Sequence, residues 1–123
     1  MKLRDILPLI EGQLLSDAVE LDTEVDYGAA ADLMSDVLAF AKTNAVLLTG
    51  LTNSQVIRTA EMADAAAVVF VRGKMPTQDT LKLAEEKGIP LIICKYTMFE
   101  ACGKLYEAGL RGSDPLPSSN GDW

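Results

Sequence analysis

The chain has 123 residues, 49% of them hydrophobic, with 18 acids against 11 bases for a net charge of −7. That is one ordinary domain with enough apolar residues for a core; the acidic balance argues against general nucleic-acid binding, which needs a basic footprint, and the absence of histidine excludes Ser-His-Asp triads, other His-based acid–base catalysis and His metal sites. No apolar run approaches the roughly 20 residues of a membrane span, and MKLRDILPLIEG carries an acid and a proline where a signal peptide needs an unbroken apolar stretch, so a cytoplasmic protein without membrane contact is expected.

Lys2 to Ile10 reads as a short helix with Leu3, Ile6, Leu7 and Ile10 on one face. Pro8 fits if that helix begins near Arg4 or Asp5, because first-turn N–H groups have no helical partner. Gly12 ends it, and Gln13-Leu14-Leu15-Ser16 is a short strand candidate. Asp17 to Glu24 is acidic and irregular, a surface loop or edge. Val25 to Ala31 reads as a strand whose Gly28 suggests a bulge or a close backbone approach. A helix from Asp36 to Lys42 follows, with Ser35 as its expected N-cap.

From Asn44 a repeat emerges: three strand–helix units at a spacing of about 22 residues. The strands read AVLLT, AVVFV and PLIIC, beginning near Ala45, Ala67 and Pro90. Each is a continuous apolar run, as expected of strands covered by helices on both faces of a parallel sheet. The first helix follows Thr49-Gly50-Leu51-Thr52-Asn53, and Thr52 and Gln55 have the spacing of a capping box. The second runs from Thr77 or Gln78 to Lys87 and stops at Gly88. The third is capped by Thr97, with Glu100 completing a second capping box, and ends at Gly109. Residues 1–110 form the domain. Residues 111–123, rich in Pro, Gly, Ser and Asp and ending in Trp123, read as a flexible tail.

Right-handed crossovers lay the three units side by side, with all three loops at the C-terminal edge of the sheet, where ligands of open α/β sheets bind. That edge gathers Thr49, Gly50, Thr52 and Asn53 from the first loop, Arg72, Gly73 and Lys74 from the second, and Lys95, Tyr96 and Thr97 from the third. Three bases beside hydroxyls and capped helix starts make a place for a phosphate or carboxylate; solvated loop charges are the plain alternative. No GxxxxGK[ST] or GxGxxG motif occurs. Asp32 and Asp36 flank a helix start, but no nucleophile and base stand beside them, so no catalytic residue and no metal ligand is assigned. Cys94 and Cys102 supply only two of the four ligands that an iron–sulfur cluster needs, so a dimer would have to bring both pairs together, and no cluster is expected.

The segments GAAADLMSDVLAFAK, LLTGLTNSQVIRTAEMADAAAVVFVRGK and IICKYTMFEACGKLYEAGL resemble the small stand-alone DRTGG-domain proteins of anaerobic bacteria and archaea. The Asp-Arg-Thr-Gly-Gly signature is absent as a literal string. The resemblance implies a three-layer α/β/α sandwich with a mainly parallel sheet, like the N-terminal domains of HPr kinase and the Mur ligases. It implies a regulatory role and not catalysis, since such domains stand beside CBS domains in regulated pyrophosphatases, where the region helps form a dimer that binds adenine nucleotides. A homodimer sensing an adenine nucleotide or another anion is therefore expected of this chain. Stand-alone members are often encoded with iron-only hydrogenase subunits, so the alternative that the resemblance carries is an accessory or interaction protein of such a redox complex, without its own cluster.

Overall fold

A computed structural model describes residues 1–16 and 20–112. Part of the acidic Asp17–Glu24 stretch and the tail from 113 to Trp123 lie outside the described residues. Helix α1 is Leu3–Leu9, followed by strand β1 (Gln13–Leu14), and β2 is Tyr27–Ala30. Then come α2 (Met34–Phe40), β3 (Ala45–Thr49), α3 (Gln55–Met62), β4 (Ala67–Phe70), α4 (Gln78–Lys87), β5 (Leu91–Ile93) and α5 (Met98–Glu107).

The five strands form one sheet in the order β1-β5-β4-β3-β2. Strands β2 to β5 are parallel, and β1 adds an antiparallel edge through Gln13 opposite Ile93. The parallel set thus has four strand–helix units, one more than the repeat in the sequence discloses. Its three crossovers all step in one direction, and a run of crossovers of one hand leaves its helices on one face. The core bears this out. Val37 of α2, Val56, Ile57 and Ala60 of α3 and Ala84 of α4 pack with Leu47, Val68, Phe70 and Leu91. Leu3 and Ile6 of α1 and Ala101 and Leu105 of α5 pack on the opposite side with Val46, Leu48, Ala67, Val69 and Ile92. Alternate residues of β3 and β4 feed the two layers, so every residue of both strands is buried. The architecture is the expected α/β/α sandwich.

Several local expectations are corrected. Helix α1 begins at Leu3, before Arg4, and Lys2 N–H donates to Asp5 Oδ2 at 2.8 Å. Pro8 lies inside it, near the C-terminal end, where only the Arg4 carbonyl loses its helical donor. Ser35 does not cap α2: the helix starts at Met34 after Leu33, without a side-chain cap bond. Gly28 makes no bulge, since it pairs in register with Val46. It is a close approach instead: a Cβ there would stand 3.2 Å from Leu110 Cδ2, and its N–H donates to the Arg111 carbonyl at 2.9 Å. Arg111, first residue of the compositional tail, therefore lies against the outer edge of β2.

Candidate functional site

The parallel strands send four loops to the C-terminal edge of the sheet, and backbone bonds lace them together. Ala31 N–H donates to Leu48 O (3.1 Å), and Val71 N–H to Thr49 O (3.1 Å). Arg72 N–H reaches Tyr96 O at 2.7 Å and Gly73 N–H reaches Cys94 O at 2.8 Å, joining the second predicted loop to the third. Arg72 and Gly73 both take positive φ, 62° and 66°. With Lys74 N–H donating to Val71 O at 3.3 Å they form a turn of the type with two left-handed central residues. Glycine adopts that conformation freely; arginine does so at a cost, so the Tyr96 carbonyl holds Arg72 in place.

The first loop is organised around a residue that sequence reasoning left aside. Asp32, just after β2, accepts from Thr49 Oγ1 (3.0 Å) and from Gly50 N–H (2.8 Å), both on Oδ1. The donors expected to meet a bound anion at Thr49 and Gly50 thus hold the chain's own carboxylate. Thr49 Oγ1 in turn accepts from Leu51 N–H at 3.2 Å. Thr52 is not the cap of α3. Its carbonyl accepts from Thr77 N–H (3.2 Å) and Thr80 Oγ1 (2.8 Å), tying this loop to the start of α4. Asn53 does the capping, its Oδ1 taking Gln55 N–H at 3.0 Å.

On the third loop Thr97 caps α5 as expected, accepting Glu100 N–H at 3.3 Å. Tyr96 turns toward the α1 side of the sheet, where its hydroxyl donates to Glu11 and Lys104 lies 4.8 Å over its ring. Arg72, Lys74 and Lys95 are exposed and, among the described residues, have no ion-pair partner. Of the ten predicted residues, the loops therefore bring Arg72, Gly73 and Lys74 beside Lys95, Tyr96 and Thr97 through shared backbone bonds. Thr49 and Gly50 instead gather around Asp32. The signal that could have found Asp32 was the helix that follows Val25–Ala31, which marks this strand as another member of the parallel set.

Cys94 is buried and Cys102 half-buried, and burial raises the pKa of both thiols. Among the described residues no three His, Cys, Asp or Glu side chains converge as a metal site. No helix among them is long and apolar enough to cross a membrane.

A mainly parallel sheet between two helical layers, its loops gathered and laced at one edge, places the chain among the α/β sandwich domains. Residues 5–108 match the family model of the DRTGG domain, and the chain belongs to that family. No curated protein matches it. Among solved structures it is similar to the CBS and DRTGG domains of the regulatory region of Clostridium perfringens pyrophosphatase, crystallised with the activator diadenosine tetraphosphate. The TM-score is 0.64 at 12% identity, over 94% of this chain and 52% of that one. The likeness is thus one of fold, and this chain spans about half the length of its neighbour.

Proposed function

We propose that the chain is a non-catalytic, ligand-sensing DRTGG domain that acts as a homodimer and binds an anionic small molecule, an adenine nucleotide being the best fit. One observation carries this reading: Arg72, Lys74 and Lys95 stand exposed and, among the described residues, without ion-pair partners, on two loops that backbone bonds hold side by side, in a chain of net charge −7. Cations left unpaired among so many acids are suited to an anion from solution. The adenine-nucleotide activator bound by the Clostridium perfringens pyrophosphatase region supports the ligand class.

In this reading Arg72–Lys74 and Lys95–Thr97 take the phosphates. Thr49, Gly50, Thr52 and Asn53 line the other end, where Thr49 and Gly50 fix Asp32 Oδ1 and leave Oδ2 to accept from a ribose hydroxyl. Asp32 and Lys95 follow β2 and β5, three strand spacings apart, or about 14 Å, a span that favours an extended nucleotide over a lone phosphate.

Calorimetric titration with a panel of adenine nucleotides tests the reading. The expected result is saturable binding, weakened about tenfold or more by Arg72→Ala or Lys95→Ala, since a hydrogen bond to a charged group contributes about 1.5–3 kcal/mol. Absence of heat with every adenine nucleotide at millimolar concentration would remove this ligand class.

A further inference from the structure

The β2 side of the molecule carries an apolar surface that no element of the described chain covers. Phe99 is 83% exposed, Phe40 59% and Tyr106 58%. They belong to one surface. Phe40 lines a concavity of about 320 Å³ on the α2 side of the sheet, and Phe99 and Tyr106 line one of about 670 Å³ on the α5 side. A smaller hollow lies between the two, and Ala30 of β2 lines all three. The patch thus runs from one helical layer, across the edge strand, to the other.

We infer that this surface is where two copies of the chain meet; the inference rests on the homodimer of the preceding reading and gives it a location. Area is the first argument. The three rings expose the equivalent of about two whole aromatic side chains, roughly 300–500 Å². A monomer's largest apolar patch is of that size, and it supplies about half of the ~800 Å² per partner of a standard interface. Half-buried Met98 and Cys102, with Gly103, extend it on the α5 side.

Charge is the second. In a chain of net −7 most of the surface repels its own copy. Among the described residues, the charged ones lining these three hollows are Asp36, Arg111 and Glu107: a base in the middle hollow with an acid in each of the outer two. Turned about a two-fold axis between the middle hollow and one outer hollow, each copy sets its Arg111 against the other's acid, the reciprocal pairing that an isologous dimer requires. The Arg111 guanidinium lies 3.8 Å over the Tyr106 ring, in the middle of the apolar surface.

The contact is made by side chains and not by joining the sheets edge to edge. The outward N–H of Gly28 is already bonded to Arg111 O, so residues 111–112 stand where a partner's strand would pair.

Sedimentation velocity of the full chain over a concentration series tests the proposal. Wild type is expected to be a dimer. Phe99→Glu combined with Tyr106→Glu is expected to raise the dimer dissociation constant at least a hundredfold, with an unchanged circular dichroism spectrum because both rings are exposed. Met62→Glu with Met75→Glu, which alters two other exposed apolar residues, is expected to leave the dimer intact. A dimer that survives Phe99→Glu/Tyr106→Glu overturns this location and leaves the homodimer standing. A monomeric wild type at tens of micromolar overturns both. If that monomer dimerises once residues 113–123 are deleted, the chain's own C-terminal segment is the occupant. The nucleotide titration decides the ligand reading separately.

Discussion

Thr59 of α3 is fully buried, and its hydroxyl has no hydrogen-bond partner among the described residues. A buried hydroxyl left unpaired costs about 1–3 kcal/mol, so Thr59→Val, which keeps the shape, is expected to stabilise the domain by about 1 kcal/mol in urea denaturation. Tyr96 gives a test at high pH. Its pKa is raised, first by its hydrogen bond to Glu11 and then by burial. The folded value lies above the unfolded one, so the contribution to stability is complete below the ordinary phenol pKa and is lost as pH rises through the folded value. In a tyrosinate absorbance titration, one of the three tyrosines is expected to ionise after the others, and Tyr96→Phe to remove the late step; three phenols ionising together would contradict the Glu11 contact. At this scale the sequence was a partial guide. The cations of the rim could be read from their place after apolar runs. That Asp32 takes the Thr49 and Gly50 donors is not a local pattern: the partners are 17 and 18 residues apart and meet only when β2 and β3 pair, which the helix after β2 alone hints at.

Helix starts were legible where the cap and its donor lie within one turn. Thr97 caps α5, and Thr77 accepts Thr80 N–H at 3.3 Å at the start of α4. Thr52 had an equally good local pattern and failed, because tertiary partners at Thr77 and Thr80 draw its carbonyl toward α4 and leave Asn53 to cap α3. The Thr77 hydroxyl also lies 2.8 Å from Thr80 Oγ1. Thr77→Ala is therefore expected to lower stability by about 1–2 kcal/mol in thermal or urea unfolding, the upper range for a lost N-cap; an unchanged midpoint would mean that the Thr52 carbonyl alone fixes the start of α4. The buried strands announced themselves as unbroken apolar runs. Strand β2, reading YGAA, shows its place in the parallel set only through the helix that follows it, since Gly and Ala carry little strand preference of their own.

For the whole molecule, composition and the three apolar runs were enough for an α/β sandwich. Which helices share a face follows from strand order, a long-range property that no local stretch of sequence encodes. The centre of the sheet, β4 between β3 and β5, is buried on both sides, so its amides are expected to exchange with solvent most slowly and those of β1 and β2, at the edges, fastest. The last helix has a particular place in this order. Strands β2 to β5 can be laid down in sequence with α2, α3 and α4 covering one side as they form, but the other side has only α1 until α5 arrives to contact β2 and β3. A chain still emerging from the ribosome therefore carries half of one sheet face bare until residues 98–110 are free of the exit tunnel. A chain cut before α5 is therefore expected to expose that apolar face, to aggregate, and to yield no shortened working domain.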